Sequence, residues 1–436
     1  MEQGDAQEKP IHVLIKDRLD KLAALRAQGV EPYPYSFNKT HSTQSIHDAF
    51  PHLAPEEHAK ETVCTAGRVV AFRKMGKASF CHLMDESGKI QCYFRFDDLG
   101  ETQYNILKRC DIGDIIGVAG EPFKTKTGEL SVYCRQFTLL TKSIRPLPEK
   151  FHGLVDPEIR YRKRYLDLIM NPQVKQVFMD RTKIFDAVRS HLNLHGFLEV
   201  DTPILHPNYG GAAARPFKSK LNALDMDVYM RISDELHLKR LLVGGFERVY
   251  EFSKDFRNEG IDRTHNPEFT QIEIYQAWVD YESIMILVEH LFRAACKAVH
   301  GKESFTYQGH AVDLSKPFRR LSMRDAIREF GNIDVDKLDD EQLAELRITY
   351  NLELKGDITR GALICALFES LCEDKLILPT FIIEHPKEST PLCKPSRKDP
   401  NFVERFELFM FGFECANAYS ELNDPLLQRK LLEDQA

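Results

Sequence analysis

The chain has 436 residues, 29% charged and 43% hydrophobic, which is room for two or three domains with a large core and excludes a disordered or fibrous protein. No apolar run approaches the ~20 residues of a membrane helix, and the opening MEQGDAQEKP is too polar for a secretory signal, so the reading is cytoplasmic with no membrane association. A net charge of −7 argues against a globally basic nucleic-acid binder, leaving any RNA-binding face to be local, and ten scattered cysteines without CxxC pairs or metal-like histidine spacing read as reduced thiols.

Residues 11–30 predict a helix in which Val13, Leu14, Leu19, Leu22 and Leu25 interleave with Lys16, Arg18, Lys21 and Arg26, ended by Gly29 and the Pro32–Pro34 pair. From Thr62 to Leu140 the pattern turns to short strands punctuated by Ser87-Gly88, Gly113 and Thr127-Gly128, the spacing of a small barrel. Such a barrel alone implies only oligonucleotide or sugar binding. Lys142–Glu149, with Pro146 and Pro148, reads as a linker, and the basic, aromatic run Glu158–Leu168 leads into a long helix from about Pro172. His195–Leu205, HGFLEVDTPIL, reads as a helix end, a strand and a proline at Pro203. In Gly210–Phe217, GGAAARPF, paired glycines let the backbone approach a ligand closely, and a loop carbonyl there could hold an α-amino group. Arg231–Leu241 reads as a helix carrying Glu235.

The most informative stretch is Gly244–Tyr275, two alternating strands joined by a polar loop. Along Val249–Glu259 one face carries Glu251, Ser253, Asp255, Arg257 and Glu259, and the other Tyr250, Phe252 and Phe256. After the loop, Phe269, Gln271, Glu273 and Tyr275 share a face backed by Ile272 and Ile274, so the hairpin pairs an apolar underside with a charged, aromatic binding floor. Helical patterns dominate residues 322–377, with an acidic run at Asp334–Glu341. In Glu404–Asp424, a tight turn at Phe411-Gly412 puts Glu414 opposite Phe409 and Glu407 opposite Ala416, leaving the two glutamates diagonal on one face about 7–8 Å apart. Carboxylates so placed either face water or hold a hard, oxygen-loving cation between them.

Phe256-Arg257-x-Glu259, followed by His265-Asn-Pro-Glu-Phe-Thr, resembles motif 2 of the class II aminoacyl-tRNA synthetases, and the whole stretch is similar to the lysyl-tRNA synthetases. His195–Leu205 resembles motif 1, Gly210–Phe217 matches the same family, and RKMGKASFCHLMDESGKIQ from Arg73 to Gln91 resembles the OB-fold that reads the anticodon in the lysyl, aspartyl and asparaginyl enzymes. The resemblance implies an α+β protein: an N-terminal helical extension over residues 1–60, a five-stranded OB-fold β-barrel over 61–145, and a class II antiparallel-sheet catalytic domain over 146–436 with a helical insertion at about 322–377.

It also implies site residues. Arg257 and Glu259 form the catalytic pair, Arg257 on the ATP α-phosphate and the amino-acid carboxylate, Glu259 accepting from the adenine amino group. Phe269 stacks on adenine, Arg263 and His265 sit in the loop where the β- and γ-phosphates would lie, and Asn266 joins the ATP site. In much of the family a basic residue directly precedes the histidine, a place held here by Thr264. Gly211, Glu235, Glu273, Tyr275, Asn417 and Glu421 match the lysine pocket, Glu235 and Glu421 meeting the two amino groups. Carboxylates with no Lys or Arg at these positions suit an ammonium substrate, whereas an aspartate pocket needs a cation. Glu407 and Glu414 match the Mg²⁺ ligands. In the barrel, Phe80 is the stacking platform, and Arg73, Gln91 and Glu129 read base edges. The implied partners are tRNA(Lys), ATP, L-lysine and a second copy of the chain through motif 1, around Gly196–Leu205. The Gly-x-Gly-x-x-x-Asp-Arg pattern of motif 3, whose arginine clamps the γ-phosphate, does not occur after Asp424. The expectation is a fragment whose C-terminal part is missing, with exposed sheet surface and weakened ATP binding. The alternatives are an aspartyl- or asparaginyl-type synthetase and a non-catalytic tRNA-binding fragment or paralogue.

Overall fold

The computed structural model of the chain describes residues 10–148, 154–212, 214–262, 265–352, 354 and 358–435. It divides into two compact units, residues 1–175 and 176–436.

In the first unit α1 (Ile11–Ala27) ends at Gln28 and Gly29, the latter at φ +71°. Its apolar stripe is narrow. Leu22 and Leu25 are buried while Val13 and Leu19 stay exposed. Arg18 is buried too, its guanidinium donating to the carbonyls of Ile112 and Ser143 at 2.9 and 3.0 Å, so a charge read as solvated fastens the helix in place. After α2 (Thr43–Ala49) come β1 (Val63–Met75), β2 (Ala78–Met84), β3 (Lys89–Arg95), α3 (Phe96–Lys108), β4 (Ile115–Lys124) and β5 (Leu130–Thr141). The five strands close into a barrel in the order β1-β2-β3-β5-β4. Alternation does the sorting: Ser79, Cys81 and Leu83 of β2 point inward, Phe80 and His82 outward. Closure brings β4 so near β5 that a Cβ on Gly120 would lie 1.9 Å from the Tyr133 carbonyl oxygen, and only glycine fits. The expected linker does not begin at Lys142. That ammonium is wholly buried, 2.7 Å from Asp111 and 2.9 Å from Asp114, because three charges whose hydrogen bonds are mutually satisfied can be taken from water together. Short helices α4 (Pro157–Arg162) and α5 (Arg164–Met170) complete the unit.

The chain continues through α6 (Gln173–Leu194), β6 (Leu198–Glu199), β7 (Leu205–His206), β8 (Lys218–Leu221), β9 (Met226–Met230), α7 (Glu235–Val243), β10 (Arg248–Phe256), β11 (Glu268–Gln276) and α8 (Tyr281–His300). Then follow β12 (Ser304–Tyr307), β13 (His310–Asp313), β14 (Arg319–Ser322), α9 (Met323–Ala326), α10 (Asp340–Thr349), α11 (Arg360–Leu371), β15 (Thr380–Pro386), β16 (Phe402–Met410), β17 (Phe413–Tyr419) and α12 (Pro425–Gln435). In place of one antiparallel sheet the described residues of this unit form four, β11-β10-β6, β7-β9-β8, β12-β13 and β14-β15-β16-β17, of which the first and last each contain one parallel pair. Long segments containing helices separate β6 from β10 and β14 from β15, so those chains return in the same direction rather than folding back as hairpins. Phe381, Phe406 and Leu408 pack with Met285 and Val288 of α8, while α10 and α11 build a second core from Leu343, Leu363, Leu367 and Phe368 against Ile382 and Phe409. No helix among the described residues is long and apolar enough to cross a membrane.

Candidate active site

The hairpin β10–β11 pairs antiparallel with Glu251 opposite Glu273, Ser253 opposite Gln271 and Asp255 opposite Phe269, so the residues read as one floor do share a face. The strand stops at Phe256, three residues short of the expected Glu259: the Arg257 amide still bonds across to the Pro267 carbonyl, but Pro267 has no N–H to return, and the Asn258 amide turns away to the Arg215 carbonyl. Much of the floor is covered rather than open, with Glu251, Ser253 and Asp255 buried. Arg231 explains how. Instead of starting a helix, Arg231 is extended, its amide bonded to the Ile204 carbonyl and its own carbonyl to the Phe256 amide, and α7 begins only at Glu235. Its buried guanidinium pairs with Glu251 at 2.7 Å and Asp255 at 3.1 Å.

Above this pair lies a connected set of carboxylates. Asp234, Asp255 and Glu273 bring oxygen atoms within 4.8 Å of one another. Gln271 donates from one amide nitrogen to Asp255 and, at 2.9 Å, to Glu273, which also accepts from Ser233 Oγ at 3.0 Å and Tyr275 Oη at 2.8 Å. Burial, reinforced by the Asp234 charge, pushes the Glu273 carboxyl up to about 9 and Asp255 up to about 7. Glu235, the first residue of α7, donates its amide to Ser233 Oγ, and Gly211 at φ +89° lies so close that a Cβ there would be 3.1 Å from Ser233 Oγ and 3.2 Å from Glu235 Cβ. Glu421 completes the group from beyond β17, joined to Glu235 through the Lys239 ammonium at 2.8 and 2.6 Å. Burial, with Glu235 adding repulsion, pushes the Glu421 carboxyl up to about 7 against the opposing Lys239 charge.

At the open end of β10, the Arg257 guanidinium lies 5.1 Å from the Phe269 ring centre and donates to the Ile232 carbonyl at 3.4 Å. Glu259 is exposed, His265 is held 2.7 Å from Asp262, and Asn266 donates to the Glu268 carbonyl at 3.1 Å. Arg263 lies outside the described residues.

On β16–β17, Glu414 stands opposite Phe409 as expected, but Glu407 faces Asn417 and not Ala416. A bulge between Leu408 and Phe409 of the register leaves Cys415 unpaired and shifts the partner by one, which turn length alone does not reveal. Burial, together with the Glu414 and Glu369 charges, pushes Glu407 up to about 7 despite Arg405, and burial with Glu369 and Glu407 pushes Glu373 up to about 7. A carboxylate group this short of positive charge suits a hard divalent cation. Asn417 accepts from Arg405 at 3.2 Å and donates to Glu407 at 3.4 Å, so its amide is engaged with this acidic group.

On the barrel, the register sets Arg73 opposite Phe80, Phe80 opposite Tyr93 and Tyr93 opposite Tyr133, a row across the outer wall with the Phe80 and Tyr93 rings 4.6 Å apart. Gln91 donates to Ser131 Oγ at 2.9 Å and Glu129 lies 3.0 Å from His82. Beside this row Phe80, Tyr93 and Phe123 line a groove with Lys124 and Lys126 at its rim.

Two families match the chain: tRNA synthetases class II (D, K and N) over residues 156–436 and the OB-fold nucleic acid binding domain over 63–140. The chain is 47% identical over 434 residues to a lysine–tRNA ligase of Clostridium novyi, covering 98% of this chain and 84% of the relative. It is 50% identical over 423 residues to one from Moorella thermoacetica, covering 97% and 86%, and 48% identical over 427 residues to one from Thermoanaerobacter pseudethanolicus, covering 98% and 85%. The chain belongs to the lysine–tRNA ligase family of class II tRNA synthetases.

Within this family member the sequence pointed to Gly211, Glu235, Glu273, Tyr275 and Glu421, which the fold gathers, and to Arg257 with Phe269, which lie together. It missed three groups. Asp234 and Arg231 were assigned to a helix that starts later, and Lys239, outside the matched pocket positions, stands between Glu235 and Glu421. An i,i+4 Glu–Lys spacing on α7 was the signal available for Lys239.

Proposed function

We propose that the chain charges tRNA(Lys): it activates L-lysine with ATP to lysyl-adenylate, releasing pyrophosphate, and passes the lysyl group to the 3′-terminal ribose. The observation that carries this is 47–50% identity to lysine–tRNA ligases along nearly the whole chain. The acidic pocket of Glu235, Glu273 and Glu421 supports it chemically, since an ammonium on a long aliphatic arm needs carboxylates in a partly dry site.

In the first step a lysine carboxylate oxygen attacks the ATP α-phosphorus and the bond to pyrophosphate breaks. Arg257 would offset the charge that builds on the α-phosphate, with adenine against Phe269, its amino group on Glu259, His265 toward the outer phosphates and Asn266 in the ATP site. In the second step a ribose hydroxyl attacks the carbonyl carbon and AMP leaves. Positioning and charge stabilisation carry the first step without a side-chain nucleophile. Glu407 and Glu414 would hold Mg²⁺, which supplies phosphate charge neutralisation when bound.

The barrel wall suits the anticodon, with Phe80 stacking on a base and Arg73, Gln91 and Glu129 reading edges; its aromatic row supports this. A homodimer through motif 1 is supported by apolar side chains that α6 and its sequel leave exposed, Val177, Phe178, Met179, Leu194 and Leu198. A cytoplasmic setting agrees with ten free thiols. The deciding measurement is ATP–pyrophosphate exchange with lysine, aspartate or asparagine. Exchange with lysine alone is expected; exchange with aspartate or asparagine instead overturns the pocket reading, and none with any of them overturns the catalytic one.

A further inference from the structure

We infer that Lys239 is a positioning residue of the amino-acid pocket, its ammonium bridging Glu235 and Glu421 and holding both carboxylates converged for the two amino groups of the substrate. The inference rests on the proposed reading of Glu235 and Glu421 as the lysine-binding pair.

Glu235 and Lys239 lie one turn apart on α7, Nζ 2.6 Å from Glu235 Oε1. An exposed helix pair of this kind contributes little, but this one has a third member from far along the chain, Glu421 Oε2 at 2.8 Å. The site is half-enclosed, with the Lys239 side chain 27% exposed and Glu235 8%. The Tyr419 ring lies 5.8 Å from the ammonium, and its hydroxyl donates to the other Glu235 oxygen, Oε2, at 3.4 Å. Lys239 therefore takes Oε1 of Glu235 and Oε2 of Glu421 while Tyr419 takes Oε2 of Glu235, and a ligand ammonium would share the remaining lone pairs of these carboxylates. An antiparallel backbone bridge between Cys393 and Glu421 fixes the backbone from which Glu421 reaches in.

The titratable groups facing Glu421 are Lys239 and Glu235 from α7, Tyr419 from β17, Tyr275 from β11, and Cys393 from the segment before β16. Of these, Lys239 alone is cationic. Burial by itself would depress the Lys239 ammonium, yet Glu421 and Glu235 hold it above its ordinary value. Without it, burial and the Glu235 charge act on Glu421 unopposed, and that carboxyl keeps its proton to higher pH. A protonated Glu421 no longer draws an ammonium, so the loss must be greatest at the acidic end.

The test is lysine binding to the full chain by isothermal titration calorimetry between pH 6 and 9, for wild type, Lys239→Met, Lys239→Arg and Glu235→Gln. Lys239→Met is expected to weaken binding by about tenfold or more at pH 7, the gap widening toward pH 6 and narrowing toward pH 9, with Lys239→Arg recovering most of it. Unchanged affinity, or a weakening of equal size at every pH as a merely structural role gives, overturns the inference. Tighter binding also overturns it, since Lys239 would then be competing with the substrate. Glu235→Gln separates this from failure of the pocket reading: binding unaffected by that change means the pocket itself is wrongly placed. If Lys239→Met does not fold by circular dichroism, Lys239→Gln carries the same expectation.

Discussion

Asp255 sits in full burial between a cation and two acids. Arg231 lies 3.1 Å from one of its oxygens, Gln271 donates to the other, and Asp234 and Glu273 crowd the same space. Burial first, then the Asp234 charge, raises its carboxyl from the ordinary 3.8 to about 7. An acid raised in the folded state keeps its proton there after the unfolded chain has released it. Stability is then fully retained below about pH 4, falls as pH rises toward 7, and stays reduced above. Asp255→Asn keeps the shape of the side chain and removes the charge, so it is expected to stabilise the chain by on the order of 2 kcal/mol at pH 8 and by little at pH 4, read from urea midpoints at the two pH values. An equal effect at both would mean that packing, not charge, governs the site. Arg257, Glu259 and Glu273 could be picked out from sequence because motif spacing and charge chemistry travel together. The raised carboxyls could not, since their cause is the crowding of Asp234 from one segment against β10 and β11.

At the level of single elements, β2 shows how far alternation reaches. Family resemblance made Phe80 a stacking platform, and in the fold the alternation of β2 turns it outward, into a row with Tyr93 of the next strand and Tyr133 of β5. Aromatic faces in such a row are sequence-tolerant platforms for bases. Phe80→Ala is expected to weaken binding of an anticodon stem-loop of tRNA(Lys) by about 1–3 kcal/mol while leaving the barrel folded, because the side chain is outside the core. Filter binding together with a thermal melt checks both halves; a lowered melt with unchanged RNA affinity would reassign Phe80 to packing. On β16–β17 the same kind of reading went wrong by one residue. Turn length fixed Glu414 against Phe409, but the bulge at Cys415 is a property of backbone pairing and leaves no mark on a run of side chains.

For the molecule as a whole, the apolar residues of α6 pose the largest unmet demand, with Val177, Phe178 and Met179 half or more exposed or close to it. Soluble chains seldom leave such a cluster in water. Val177→Glu combined with Phe178→Glu is expected to turn the proposed dimer into monomers at micromolar concentration, measured by sedimentation velocity, whereas a wild-type chain that is monomeric throughout would discount the interface. The two architectures, barrel and synthetase sheet, were legible before folding because strand alternation, turn residues and motif spacing are local and survive in a linear string. The binding chemistry was legible in kind, since carboxylates for an ammonium and an arginine for a phosphate are dictated by charge. Other features came from the fold: Lys142 drawn into the barrel as a buried ion, Arg231 extended beneath the floor, the parallel pairs that split the expected sheet, and Lys239 joined to Glu421. Each depends on segments far apart in the chain meeting out of water, where desolvation and long-range pairing set which charge neutralises which, and neither quantity is carried by the order of residues along one strand or helix.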